Sequence, residues 1–140
     1  MGRLTLFEDG GLITRLIWGG KPAGLPTQLL VQAKREIAAY FEGKRHSFNL
    51  PVRPEGTPIE RKIWQAMADI PYGQTRTYGD IAKELGVPAR VVGQACGHNP
   101  VPILLPCHRV VAAHGIGGFS APGGVAWKEK LLVLERALLL

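Results

Sequence analysis

The run Pro106-Cys107-His108-Arg109-Val110 puts a thiol beside an imidazole and a guanidinium. A cysteine reacts as its thiolate, so a nucleophilic cysteine needs a base or a positive neighbour. This run offers both. Adjacent side chains do not face each other on a helix, and on a strand they point to opposite faces. His108 therefore reaches Cys107 indirectly, through a bend or a bridging water. Pro100, Pro102 and Pro106 make the approach to the cysteine irregular. A Cys-His pair alone is a weak signal, because a free cysteine is usually a buried, inert thiol.

The elements that must position this run are legible around it. Leu4 to Phe7 and Leu12 to Trp18 read as strands joined by a hairpin turn at Glu8-Asp9-Gly10-Gly11. Thr27 to Glu42 reads as a helix, with Leu29, Leu30, Ala33, Ile37, Tyr40 and Phe41 at helical spacing and Gly43 as its stop. Residues 1–50 make a small α/β unit, and Arg53 to Gly56 a linker. Thr57-Pro58-Ile59-Glu60 is a helix start with a capping box, and that helix runs to about Ala68. Thr77 to Leu85 and Pro88 to about Gly97 are two short helices joined at Leu85-Gly86-Val87-Pro88, a helix-turn-helix. Val110-Val111 is extended, Gly115 to Gly124 is a glycine-rich loop, and Trp127 to Leu138 is a closing helix. The expected fold class is α+β: a small N-terminal α/β unit, then a mainly helical, winged-helix-like unit over residues 54–140.

Around the cysteine, Asn99-Pro100-Val101-Pro102-Ile103, Pro106-Cys107-His108-Arg109-Val110, Gly117-Gly118-Phe119-Ser120 and Lys128 stand together in one order and spacing. This set resembles the O6-alkylguanine-DNA alkyltransferases, from about Phe41 to Glu135. The resemblance implies direct, single-turnover transfer of an alkyl group from O6 of guanine in DNA to Cys107. It implies His108 as base, coupled to the thiol through water, and Glu135 as the carboxylate that orients it. Arg90 becomes a finger filling the space left by an extruded base, with Tyr78 helping to rotate the nucleotide. The residues of that helix, including Ala89 and Gln94, are small for a major-groove reader and suit a minor groove. Asn99, Phe119, Ser120 and Lys128 would form the substrate pocket, Ser120 as a donor to the guanine oxygen. Arg109 is implied to be structural. The damaged base is itself the alkyl donor, so no cofactor is required.

Two departures stand out. Phe119 replaces a tyrosine common in relatives, and Ala121-Pro122 looks like an inserted dipeptide in the pocket wall. The N-terminal part is short and lacks zinc-binding Cys/His clusters, and Cys96, His98, Cys107 and His108 do not suffice for a metal site. Composition agrees with these readings. The 140 residues are 46% hydrophobic, enough for a core, and a net charge of +6 suits a polyanion. Two cysteines exclude a disulfide framework and fit a reducing cytosol, with nucleoid association if the source is bacterial. No signal peptide or membrane span is legible, and a monomer binding duplex DNA is expected. A damage reader without transfer is disfavoured by Cys107 itself. A cysteine hydrolase leaves the helix pair and Arg90 without a role. A transcription factor would want longer base-reading side chains on its second helix.

Overall fold

A computed structural model of the chain describes residues 3–21, 24–117 and 124–137. Strands β1 (Leu4–Asp9) and β2 (Leu12–Trp18) pair antiparallel. The turn is tighter than expected. Glu8 and Asp9 remain in β1, and Gly10 and Gly11 alone reverse the chain, at φ 59° and 80°. Both angles belong to the left-handed region that a two-residue hairpin turn requires. Helix α1 (Gln28–Phe41) starts at Thr27, whose hydroxyl accepts from Leu30 N–H.

Helix α2 (Pro58–Ala68) has the reciprocal cap expected of it: Glu60 N–H donates to Thr57 Oγ1 (3.2 Å) and Thr57 N–H to Glu60 Oε1 (2.9 Å). Helix α3 (Tyr78–Leu85) has a second such box, Thr77 with Asp80, and ends at Gly86 in the left-handed conformation. Helix α4 (Ala89–Gly97) follows, with Pro88 before its first turn. Trp64 ties the pair to α2, its indole N–H donating to the Ala95 carbonyl at 2.8 Å.

Two elements escaped the sequence reading. Strands β3 (Arg76–Thr77) and β4 (Val110–Val111) pair in parallel, Arg76 with Val110 and Thr77 with Val111. Two-residue strands carry no periodicity to detect. The pairing matters, because it sets the chain just after Cys107-His108-Arg109 beside the chain just before Tyr78.

The closing helix also differs from expectation. Helix α5 spans Val125–Leu134, starting two residues before Trp127 and ending well before Leu138. Arg136 N–H donates to Val133 O (3.0 Å) and Ala137 N–H to Leu132 O (2.8 Å), with Arg136 at φ 61°. These bonds form a Schellman stop with an arginine where glycine is usual. Glu135 is thus the cap of α5 rather than an interior residue.

Residues from both halves share one core. Ile13, Leu16, Ala33 and Ile37 lie in the same buried cluster as Ile63, Trp64, Met67, Ile81, Val92, Val101 and Val110. Backbone bonds reinforce it: Ile13 N–H donates to Pro51 O (2.8 Å), and Leu16 N–H to Pro100 O (2.9 Å), within the segment leading to Cys107.

The Trp64 indole crowds Gly56. A Cβ at residue 56 would sit 2.4 Å from Trp64 Cη2, and Trp64 is fully buried. Gly56→Ala is therefore expected to destabilise the fold by about 2 kcal/mol, the usual scale of overpacking a core. Chemical denaturation checks this.

Candidate active site

The segment before Cys107 is bent by its own residues. Asn99 braces it from inside: Val101 N–H donates to Asn99 Oδ1 (2.9 Å), and Asn99 Nδ2–H to the Leu105 carbonyl (2.8 Å). Asn99 thus holds its own loop, and among the described residues no side-chain hydrogen bond ties it to the turn between α3 and α4. Ile103 adopts φ 74°, an uncommon angle for a β-branched residue. Pro106, at φ −81° and ψ 68°, is the centre of an inverse γ-turn closed by Cys107 N–H donating to Leu105 O (2.8 Å). A single 3-10 turn, Cys107–Arg109, then leads into β4.

All three side chains of that turn are buried. His108 has no exposed surface, and its Nε2 lies 2.7 Å from Glu135 Oε2. With Glu135 ionised, the Nε2 proton is the one donated. Nδ1 is then the acceptor, and it has no hydrogen-bond partner among the described residues. Arg109 grips the same carboxylate with a fork: Nε–H donates to Oε1 (2.8 Å), and Nη2–H to Oε2 (3.0 Å). Its Nη1–H donates to the Ile70 carbonyl (2.7 Å) at the end of α2. The Tyr40 hydroxyl, from α1, donates to Oε2 at 2.5 Å.

The electrostatics follow from burial and these bonds. Burial alone would raise the Glu135 pKa, but donors from His108, Arg109 and Tyr40 hold it down to about 2. Burial lowers that of His108, against the pull of Glu135, so its imidazole is neutral at neutral pH. Burial raises that of Cys107, while the Asn99 amide and the Lys128 ammonium favour its thiolate. The resting pair is therefore a thiol and a neutral imidazole.

Lys128, on α5, is 1% exposed, and its Nζ donates to the Tyr78 hydroxyl at 3.3 Å. Burial lowers its pKa to about 8, opposed by the negative charge Cys107 and Cys96 carry when ionised. Gly117 covers this pair. A Cβ there would lie 2.9 Å from Tyr78 Oη and 3.2 Å from Lys128 Nζ, and φ is 84°. Glycine is what lets the backbone come so close.

The second surface is the outer face of α4. Ala89, Arg90, Gln94 and Gly97 are exposed, whereas Val92, Ala95 and Cys96 point into the core. Arg90 and Gln94 are the two long side chains on this outward face. Phe119, Ser120 and the Ala121-Pro122 dipeptide lie outside the described residues.

Comparison with known proteins bears directly on this geometry. Residues 58–137 match the family model described as 6-O-methylguanine DNA methyltransferase, DNA binding domain, and residues 1–54 match its ribonuclease-like domain. The chain belongs to this methyltransferase family. A methylated-DNA–protein-cysteine methyltransferase of Mycobacterium tuberculosis is 44% identical, over 98% of this chain and 88% of its own length. One from Methanosarcina acetivorans is 47% identical, over 74% of this chain and 67% of its own length. The crystal structure of M. tuberculosis OGT in complex with DNA superposes with a TM-score of 0.84 at 38% identity, covering 96% of this chain and 86% of that one.

The family resemblance singled out Cys107, His108, Glu135, Asn99, Lys128 and Tyr78. The structure joins Asn99 to the bend before Cys107, His108 to Glu135, and Lys128 to Tyr78. Arg90, Ala89 and Gln94 lie together on the outer face of α4. Sequence reasoning missed Tyr40, which reads only as one apolar position of a helix. It also left the partner of Arg109 unassigned. No signal short of the tertiary contact links residue 40 to residue 135. Among the described residues no group of three or more His, Cys, Asp or Glu could hold a metal ion, and no helix is long and apolar enough to cross a membrane.

Proposed function

We propose that this chain repairs DNA by moving the alkyl group of an O6-alkylguanine onto Sγ of Cys107, each molecule acting once. The observation that carries this reading is the chain of groups at the 3-10 turn. An ionised Glu135 holds the Nε2 proton of His108, and the unpaired Nδ1 is left as acceptor beside a buried cysteine. As Sγ attacks the alkyl carbon, the C–S bond forms and the C–O6 bond breaks. The thiol proton passes through a water to Nδ1, and the freed guanine takes up one proton. The net change is thiol plus alkylguanine to thioether plus guanine. Glu135 stabilises the transient imidazolium. Lys128 and Tyr78 supply donors beside the developing charge.

The partner is duplex DNA, entered from the minor groove by α4. Its exposed residues are small apart from Arg90 and Gln94. A Cβ at Gly93 or Gly97 would meet nothing within 4 Å, so the interior does not demand glycine at either place. Each nonetheless costs the helix roughly 1 kcal/mol relative to alanine. Close approach of an outside surface accounts for both. Arg90 is the side chain that stands in for the extruded base, and the protein acts as a monomer.

The test is intact-protein mass spectrometry after incubation with an O6-methylguanine duplex, then peptide mapping. One added methyl on the Cys107 peptide supports the reading, and an unshifted mass with the duplex bound overturns it. Arg90→Ala is expected to slow repair of duplex by about tenfold or more, since extrusion costs a few kcal/mol. Reaction with a free O6-alkylguanine base should be nearly unchanged. Single-turnover kinetics on both substrates check this, and equal losses would remove the finger role.

A further inference from the structure

Glu135 is held by more than its transfer role needs. Arg109 alone satisfies the charge, reaching both oxygens with its fork. Yet Oε2, the oxygen that accepts from His108, also accepts from the Tyr40 hydroxyl, 95 residues away in the chain. Tyr40 has no exposed surface. Its ring is fixed by Phe41, Phe48 and Tyr72, with centroids at 5.3, 5.4 and 6.2 Å, and it packs with Ile103 and Leu131. A ring so enclosed has little freedom to turn its hydroxyl away. Burial and the Glu135 carboxylate push the Tyr40 pKa far above the usual phenol range, so it donates at every working pH.

We propose that Tyr40 is a positioning residue of the transfer site: by donating to Glu135 Oε2 it sets the basicity of His108 and makes the N-terminal unit part of the chemistry. The proposal rests on the alkyl-transfer reading above. The physical argument is competition for one oxygen. Each donor to Oε2 draws charge from it and makes it a weaker acceptor for the others. With Tyr40 and Arg109 both donating, the carboxylate holds the Nε2 proton without making the imidazole strongly basic. His108 then waits neutral, with Nδ1 ready to accept. The charged or titratable groups facing His108 are Glu135, Arg109 and Lys128, and those facing Tyr40 are Glu135, Arg109 and Tyr72. Tyr40→Phe and a fluorinated tyrosine leave all of these residues in place and change only the donor to Glu135 Oε2.

Two substitutions move the donor in opposite directions. Tyr40→Phe removes it, and 3-fluorotyrosine at position 40, a more acidic phenol, strengthens it. Two readouts apply. Nitrogen-edited NMR of the unreacted protein follows the Nε2-bound proton of His108. It should move downfield in Tyr40→Phe, where Oε2 accepts more strongly from His108, and upfield with fluorotyrosine. Single-turnover rates against pH should show the acid limb rising by about half a unit to one unit in Tyr40→Phe and falling with fluorotyrosine. A merely structural tyrosine would move neither. An unmoved proton resonance and an unmoved limb in both variants overturn the proposal. If Tyr40→Phe does not fold, the fluorotyrosine protein decides by the same criteria. Should the unsubstituted protein transfer nothing, the alkyl-transfer reading fails, and the resonance still shows whether Tyr40 tunes His108.

Discussion

Cys107→Ala is expected to yield a folded protein that binds O6-alkylated duplex and transfers no alkyl group at all. The effect on transfer is complete because the sulfur is the acceptor. No neighbour replaces it. Cys96 is the other thiol, and burial pushes its pKa up to about 12, with its Sγ donating to Met67 Sδ at 3.5 Å. The effect on folding is small, since alanine leaves a cavity of one sulfur, costing about 1 kcal/mol. Binding should survive because Arg90, Ala89 and Gln94 lie on the outer face of α4, on a different element from the 3-10 turn. Gel-shift assays on alkylated duplex, paired with mass spectrometry, check both halves. Any residual transfer would move the nucleophile elsewhere.

The second large effect is expected from Glu135→Gln. The amide keeps the shape and loses the charge. Arg109 would then be a buried cation without its counter-charge, left with the Ile70 carbonyl and a neutral amide oxygen as acceptors. Breaking a buried pair from one side costs about 3–5 kcal/mol, a large part of a domain's stability. Urea denaturation measures this. Transfer should slow by about 100-fold or more, because the imidazolium loses its counter-charge and His108 its orienting acceptor. A variant of unchanged stability would mean that Arg109 finds another partner on relaxation.

The same cluster sets the acid sensitivity. Glu135 has its pKa lowered to about 2 from an ordinary 4.5, so its stabilisation is complete above 4.5 and is lost as pH falls towards 2. His108 also binds its proton less readily when folded than when unfolded. Stability therefore starts to fall once pH drops below the ordinary imidazole value of 6.5. Both groups act in one direction, and Glu135→Gln removes the part of the loss that falls below about pH 4.5.

Much of the local structure was legible because its causes are local. Thr57-Pro58-Ile59-Glu60 announces a helix start through bonds that span three residues, and the structure contains both. Gly86 stops α3 in the left-handed conformation that glycine tolerates. The errors were local too. The sequence extends α5 past its end because the stop at Arg136 is a left-handed arginine, which carries no compositional mark. The hairpin turn was drawn too wide because two glycines were enough to reverse the chain.

The site divides along the same line. Which chemistry is available was determined by residue types in order: a thiol, an imidazole and a guanidinium in succession, approached through prolines that forbid a regular element. The small residues of α4 and its exposed arginine were readable in the same way. What only the tertiary structure decided is which groups meet. Glu135 accepts from three side chains on two elements at once, His108 and Arg109 of the 3-10 turn and Tyr40 of α1, and Tyr40 reaches it across 95 residues. The two-residue pairing of β3 with β4 sets the turn that carries Cys107 beside the start of α3. Such contacts depend on where the chain returns after the core has closed, and spacing along the sequence does not encode that. The residue types offered cysteine nucleophile chemistry, the family motifs around them named the reaction, and the closed core supplied the environment that keeps Glu135 charged, His108 neutral and Cys107 protonated.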